Sequence, residues 1–343
     1  TVASFENAAG YYERMYDLYP DERKKRAKAK DGDIVEFDQR AADAIYSAAV
    51  FRRASNDWEG GMENYESFVG SFPADSRVDD VLLTIAEIHK EQKDWSAAQN
   101  AYKAFYTDAD ADTPADFVYF ARLQSARALE QMGDSAGATA TYKETVAMYE
   151  ASIAAGVDMG TINEFIAEMM YKLAEPQFAA HMKLRLEGCG CTNKKKEDKA
   201  FGDTLTAKGK SLTEVQNTYT AILNTGAGEW GLASLLKLGE AYENMSETLL
   251  NSPQPFYLSD EQKGMYMMAL EDSAYPQIEK AVQAYNAALN KSYEITLYNE
   301  NTAYAARQLG VLRPDDFPGL EETLVKPRYF STSTKSFDYD PSL

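Results

Sequence analysis

Residues suited to catalysis and metal binding are scarce in this chain. Its 343 residues include two histidines, His89 and His181, and two cysteines, Cys189 and Cys191. A structural zinc site needs four ligands, and no second Cys or His pair stands at a matching spacing. The patterns Gly-x-x-x-x-Gly-Lys-Ser/Thr and His-Glu-x-x-His are also absent. We therefore predict no cofactor, no metal and no catalytic residue, and an enzyme is the least favoured class.

Positive charge and long apolar runs are also in short supply. Asp and Glu number 54 against 35 Lys and Arg, which gives a net charge of −19. Nucleic acids and anionic membrane surfaces attract basic patches, so we expect neither as a partner. No apolar run reaches the roughly 18 residues that a membrane-spanning helix needs, so we expect no transmembrane segment. The chain begins at Thr1 rather than Met, and we expect any signal peptide to have been removed before it.

What the chain does contain is an internal repeat. Five residues recur 37 positions later: Ala49, Asp57, Trp58, Tyr65 and Phe68 return as Ala86, Asp94, Trp95, Tyr102 and Phe105. A third copy follows after 40 positions, with Ala126, Gly133-Asp134, Ala138 and Tyr142. Repeats of this length are typical of stacked helical hairpins, in which each hairpin buries its apolar face against its neighbours. The repeat predicts an all-α fold, a right-handed α-solenoid.

These repeats resemble the tetratricopeptide repeat (TPR) family. Its signature is a small residue late in the first helix, a Gly-Asp-aromatic turn, and Ala, aromatic and Ala positions on the second helix. Phe68 and Phe105 depart from this signature, because the family prefers a small residue there, and they imply wider helix spacing. The resemblance implies a non-enzymatic scaffold that binds other proteins.

The pattern returns in altered form near the C-terminus. Gly239 and Tyr242 resemble the first TPR helix, and Ala281 and Tyr285 resemble the second, with more chain between them than the family allows. We expect either a helical insertion or two long helices, with residues 259–262 capping the later one. The layout of residues 230–326 resembles large TPR proteins of Gram-negative cell envelopes, some of them associated with gliding motility. The segments that carry this likeness are residues 229–234, 252–255, 297–302 and 313–318. It implies a periplasmic or cell-surface, extracellular location.

The chain accordingly divides into five parts. They are an N-terminal helix and basic linker (1–35), three TPR-like hairpins (36–150), an irregular helical segment (151–228), TPR-like helices with an insertion (229–326) and an extended tail (327–343).

Local signals make further predictions. Thr113 is an expected helix N-cap before Pro114. Thr161 and Glu164 form an expected capping box, and Pro176 should kink or restart the helix that follows it. We expect His89 to pack within a hairpin and His181 to lie on the surface.

The segment Cys189-Gly190-Cys191 precedes three lysines and indicates a loop. Two cysteines are too few for a disulfide framework, and a local disulfide and two free thiols both remain open. A bonded pair would favour an oxidising compartment.

Two functions are consistent with these features. In the first, the chain is a scaffold whose concave face, lined by the first helix of each hairpin, holds a partner peptide. In the second, it is a structural subunit of an extracellular or envelope filament or assembly, and its copies associate through aromatic tail residues, since aromatics are enriched at interfaces. The tail residues proposed for this contact are Tyr329, Phe330, Phe337 and Tyr339.

Overall fold

The computed structural model describes residues 2–30 and 32–318, and every regular element in those ranges is a helix. The four tail aromatics proposed for self-contact lie outside the described residues. The helices are α1 (Val2–Asp17), α2 (Tyr19–Ala29), α3 (Ile34–Ala54), α4 (Trp58–Ser71), α5 (Val78–Glu91), α6 (Trp95–Asp108), α7 (Ala115–Gln131), α8 (Ser135–Ala154), a short 3₁₀ helix (Gly160–Ile162), α9 (Asn163–Lys183), α10 (Lys194–Leu223), α11 (Glu229–Leu250), α12 (Asp260–Glu294) and α13 (Glu300–Leu312).

Successive helices from α3 to α12 pack as five hairpins, α3/α4, α5/α6, α7/α8, α9/α10 and α11/α12. From the second hairpin onward, the first helices of neighbouring hairpins also contact each other, since α5 packs on α7, α7 on α9, α9 on α11, and α11 on α13. In the part of the chain that the structure describes, the second helices α4, α6, α8, α10 and α12 make no such contacts with one another. The first helices therefore converge on the inner face of a bent stack, and the all-α solenoid predicted from the repeat is confirmed.

A recurring aspartate begins the second helix of the first three hairpins. Asp57, Asp94 and Asp134 are the N-caps of α4, α6 and α8, and each side chain accepts a hydrogen bond of 2.9–3.0 Å from the backbone N–H three residues later. The residue before each aspartate has a positive φ, at 68° for Asn56, 61° for Lys93 and 80° for Gly133. The residue in the left-handed conformation lets the chain reverse direction between the two helices. The aspartate carboxylate then accepts a hydrogen bond from a backbone N–H of the second helix that has no partner within the helix.

The repeated small and aromatic residues form the core between helices. Ala49 and Ala86 are fully buried on the first helices, and Tyr102 and Tyr285 are fully buried on the second. The phenol of Tyr285 donates a 2.8 Å hydrogen bond to Glu243, and Tyr102 likewise bonds to a first-helix carboxylate, that of Glu87. These two rings therefore keep their hydroxyls satisfied while they fill the gap between two helices. The remaining repeat residues Tyr65, Phe68, Phe105, Gly239, Tyr242 and Ala281 are also buried, while Trp58 and Trp95 are half-buried.

Two predicted helix starts are wrong in detail. The N-cap of α7 is Pro114 and not Thr113. The Thr113 hydroxyl instead accepts a hydrogen bond from the Asp110 backbone N–H at 3.2 Å, in the loop before α7. The N-cap of α9 is Ile162, without a side-chain hydrogen bond. The Glu164 carboxylate accepts instead from the backbone N–H of Gly228, at 2.5 Å. Glu164, which the local sequence assigned to a capping box, therefore makes a tertiary contact with the loop before α11 instead.

Of the two effects predicted for Pro176, a restart of the helix does not occur, since α9 continues through it to Lys183. A proline inside a helix removes one backbone hydrogen bond and costs about 3 kcal/mol. Packing of α9 against α7, α8, α10 and α11 offsets that cost. The basic segment near the N-terminus lies mostly in α2 rather than in a linker, and Arg23 there pairs with Asp38 of α3 at 2.9 Å.

Of the two layouts expected near the C-terminus, the structure shows two long helices. α11 has 22 residues and α12 has 35. The predicted cap of α12 is confirmed: Ser259 and Gln262 exchange side-chain and backbone hydrogen bonds of 3.0 and 3.3 Å as a capping box. α13 packs against both helices of this long pair.

Candidate functional site

A groove of about 280 Å³ lies on the inner face where α9, α11 and α13 meet. All of its lining residues belong to these three inner helices. They are Tyr171, Ala233, Leu236, Lys237, Glu240, Glu300, Asn301, Tyr304 and Arg307. The inner face is the surface that the sequence predicts for partner binding, and this groove places charged and aromatic side chains together on it.

Two tyrosines form aromatic walls of the groove. The ring of Tyr171 packs against Trp230 and Tyr219 with centroid distances of 5.1 and 5.6 Å, and Tyr304 packs against Tyr285 at 6.1 Å. Burial, together with nearby carboxylates, raises the pKa of both the Tyr171 and the Tyr304 hydroxyl. Both groups are therefore neutral near pH 7, and their rings are fixed before any ligand binds.

The charged groups of the groove differ in how they are held. Lys237 pairs with Glu240 at 2.7 Å, and its ammonium lies 4.6 Å from the centre of the Phe178 ring. Arg307 is exposed, and no carboxylate oxygen of the described residues lies within 4.0 Å of its guanidinium. A guanidinium is a planar, permanently charged donor that binds carboxylates through two parallel hydrogen bonds. Among the described residues, Arg307 is therefore the positively charged group of this groove that has no anionic partner.

A buried polar junction lies elsewhere, between α9, α10 and α11. Lys208 is fully buried and donates to the backbone carbonyl of His181 at 2.8 Å and to the side-chain oxygen of Asn244. His181 is fully buried as well, so its predicted surface position is wrong. Its Nδ1 lies 3.2 Å from the Ser211 hydroxyl. The ammonium satisfies a carbonyl near the C-terminus of α9, which explains why a charged side chain is buried there.

Burial sets the protonation of both groups in this junction. Desolvation and the nearby Lys208 charge lower the pKa of His181 to about 4. Desolvation and the nearby Arg185 lower the pKa of Lys208 to about 8. His181 is therefore neutral and inaccessible near pH 7, which is the state of a structural residue rather than of an exchanging acid or base. The other histidine, His89, is half-buried on α5.

The structure joins Cys189 and Cys191 in a disulfide with an S–S distance of 2.05 Å. The bond lies in residues 184–193, the loop between α9 and α10. The backbone N–H of Cys189 donates to Glu197 of α10 at 2.7 Å. The loop is thereby tied to the first turns of α10.

Two glycine patterns resemble catalytic loops, and the fold explains both differently. Gly226, Gly228 and Gly231 have the spacing of a dinucleotide-binding loop, but they join α10 to α11 rather than a strand to a helix. Ser135, in a Gly-x-Ser-x-Gly pattern, is the first residue of α8 and follows the turn after α7, whereas a nucleophile elbow follows a strand. Neither pattern has the structural context that its chemistry requires.

A second recess lies at the C-terminal end of the solenoid. It has a volume of about 660 Å³ and is lined mainly by apolar side chains of α12, α13 and the segment after α13. Tyr293 and Phe317 line it, and Tyr293 is 54% exposed. Within the described residues, no helix follows α13 to cover this end of the stack.

The sequence did not single out the groove residues. The repeat-defining positions are almost all core positions, whereas Tyr171, Lys237, Glu240, Tyr304 and Arg307 lie between them on the inner helices. The sequence does mark two of these residues as unusual, because the charged Lys237 and Glu240 interrupt the apolar residues of α11. Their meeting with α13 depends on tertiary packing.

No protein-family model matches the chain, and no curated protein sequence matches it. Among solved structures, it is similar to a TPR repeats protein from Bacteroides fragilis, with a TM-score of 0.41 and 13% identity over 80% of this chain and 98% of that one. It is also similar to an assembly chaperone of RpL4 (TM-score 0.25, 15% identity, 80% and 99% covered). A third similar structure is the P58(IPK) TPR domain (TM-score 0.19, 13% identity, 87% and 99% covered). Because these scores are low, the fold assignment rests on the helix packing described above.

Within residues 2–30 and 32–318, no helix is both long enough and apolar enough to cross a membrane.

Proposed function

We propose that this protein is a non-catalytic scaffold that binds a segment of another protein in the groove between α9, α11 and α13. The observation that carries the proposal is Arg307, an exposed guanidinium without a carboxylate partner among the described residues, beside the aromatic wall of Tyr304. Tandem helical hairpins use such inner surfaces to hold extended or helical segments.

The groove favours a ligand of defined chemistry. Tyr171 and Tyr304 offer rigid rings, and a tyrosine loses little conformational entropy when it contacts a ligand. The Lys237–Glu240 pair is already made, and neither Glu300 nor Arg307 has an ion-pair partner among the described residues, so Arg307 supplies the groove's available positive charge. We therefore expect a segment with an Asp, Glu or C-terminal carboxylate beside an aliphatic or aromatic side chain.

Selection from a displayed random-peptide library tests this proposal without a known partner. Wild-type protein should enrich peptides in which an acidic residue adjoins an apolar one. Arg307→Glu and Tyr304→Ala should each weaken binding of the enriched peptides at least tenfold. The matched control is Lys143→Glu, which makes the same charge change at an exposed position on outer helix α8 and should leave binding unchanged. Equal binding by Arg307→Glu, or equal loss in Lys143→Glu, would contradict the proposal.

We also propose a location in an oxidising compartment, the periplasm or cell surface. The Cys189–Cys191 disulfide supports this, because such bonds persist where thiols are not kept reduced. Alkylation of native cell fractions with and without prior reduction tests it. Both thiols should react only after reduction, and reaction without a reductant would contradict it.

A second candidate function is self-association as a structural subunit. The apolar recess at the end of α13, which no later helix covers within the described residues, favours it, since terminal repeats of a soluble solenoid usually present a polar outer face. The proposed contact is between this recess and the aromatic tail of a neighbouring copy.

A further inference from the structure

Glu197 is a buried carboxylate that makes no ion pair among the described residues. It is 6% exposed, and no Lys or Arg nitrogen of the described residues forms an ion pair with it. Its hydrogen-bond donor is the backbone N–H of Cys189, at 2.7 Å. The carboxylate lies directly against the loop, because a Cβ on Gly188 would come within 2.4 Å of its Oε1. Burying a charge in this way is costly, so the arrangement points to a positively charged ligand.

Two sulfur atoms share this position with the carboxylate. One ligand atom from each of Cys189, Cys191 and Glu197 lies within 4.8 Å of the others. In the disulfide the sulfurs are not metal ligands, because the ligand form of cysteine is the thiolate. The three groups can therefore act together only after the disulfide is reduced.

The loop is built so that reduction changes it little. The disulfide joins residues two positions apart, so it closes a very short ring and removes little entropy from the unfolded chain. The loop is held independently by the Cys189–Glu197 hydrogen bond and by Asn193, whose side chain caps α10 at 3.1 Å. Cys189 is exposed, and exposed disulfides are the ones that reductants reach.

We propose that Cys189, Cys191 and Glu197 form a redox-controlled site for a divalent ion of the zinc type, closed to metal while the disulfide is intact. Two thiolates and a carboxylate are a ligand set that zinc accepts, and its fourth position is left for water or a partner's ligand. A dithiol or phosphine reductant supplies two electrons and the disulfide becomes two thiols. Binding of the ion then releases the two thiol protons.

The surroundings suit the charge of the occupied site. Two thiolates and one carboxylate carry three negative charges against two on the ion, and the exposed Lys194–Lys196 at the N-terminus of α10 offset the remainder. Tetrahedral zinc with Zn–S bonds of about 2.3 Å holds two sulfurs about 3.8 Å apart. Gly190, at a φ of 61° between the cysteines, gives the loop freedom to open by that amount.

Zinc competition with a chromogenic chelator tests the site on the full chain. The protein is reduced with a phosphine, freed of reductant without oxygen, and titrated beside the oxidised protein. The reduced form should bind one zinc ion at least a hundredfold more tightly than the oxidised form or reduced Cys189→Ser/Cys191→Ser. Glu197→Gln should weaken binding about tenfold, whereas Glu187→Gln, in the same loop, should not. Cobalt substitution should give a thiolate charge-transfer band in the reduced wild type.

Three outcomes would overturn the proposal. They are equal zinc affinity in the reduced wild type and the double serine variant, equal affinity in the reduced and oxidised proteins, and unchanged affinity in Glu197→Gln. Circular dichroism of each variant shows that helix content is retained, so a loss of zinc binding reports on the ligands.

Discussion

Gly239 of α11 lies directly against the ring of Tyr285 of α12. A Cβ built on Gly239 would come within 2.5 Å of Cε1 of that ring, a distance that side-chain atoms do not adopt. Tyr285 is fully buried and its hydroxyl is fixed by Glu243, so the ring has no open direction in which to move. The two helices α11 and α12 therefore approach each other through a glycine and an aromatic ring.

We expect Gly239→Ala to lower the free energy of unfolding by about 1–3 kcal/mol, because an added methyl in a packed core forces the neighbouring ring to shift. Urea denaturation followed by circular dichroism measures the change. Gly264→Ala is the matched control on α12, where a Cβ meets no atom within 4 Å. It should raise stability by about 0.5–1 kcal/mol, since alanine is the better helix former. Equal stability of the two variants would show that the close contact has no energetic consequence.

The N-cap aspartates give a second prediction. Replacing Asp94 with Ala removes the acceptor for the Ala97 backbone N–H and should cost about 0.5–2 kcal/mol. Asp94→Asn keeps an oxygen acceptor and should lose much less. Hydrogen exchange localises the effect, which should appear first in the amides of α6. Glu144→Ala removes an exposed carboxylate from the middle of α8 and serves as the control. A loss as large in that control would assign the effect to charge rather than to capping.

The buried His181 makes stability depend on pH. Its pKa in the folded chain is about 4, below the ordinary value near 6.5. The stabilisation is therefore complete above pH 6.5 and is lost as the pH falls toward 4, because the unfolded chain binds the proton first. Between pH 7 and pH 5 this one group should account for about 2 kcal/mol.

Urea denaturation at both pH values checks the size of this contribution. His181→Gln should reduce the wild-type difference in unfolding free energy between the two pH values by that amount. His89→Gln removes the chain's other histidine and should leave the difference in place. If His181→Gln and the wild type show the same pH dependence, the protonation of His181 is not coupled to folding.

Deleting residues 327–343 separates the two candidate functions. If copies associate through the aromatic tail, the full chain should form dimers or larger species at high concentration and the shortened chain should be monomeric. Aromatic residues are enriched at such interfaces, which is the physical basis of the expectation. Size-exclusion chromatography with light scattering gives the mass of each species. A full chain that is monomeric at high concentration would rule out the structural-subunit function.

The repeat by itself determined much of this protein. The repeat period, the small residues at helix contacts and the aspartate at each turn are local features of the sequence. Each one follows from residues only a few positions apart, on one helix face or at one helix terminus. They were enough to predict an all-α stack and the cap at Ser259. The sequence also indicated that α11 and α12 resemble one repeat with extra chain, although it did not choose between an insertion and two long helices.

Only tertiary structure decided the remaining features. Packing from four helices carried α9 past Pro176, and burial by α10 and α11 took His181 from the expected surface into a neutral, enclosed state. The groove has the same origin, because Tyr171 and Arg307 are far apart in the chain and meet when α9, α11 and α13 pack. A local sequence pattern indicates the conformational preference of one helix or turn. These features depend instead on contacts between residues far apart in the chain, which no short stretch of sequence contains.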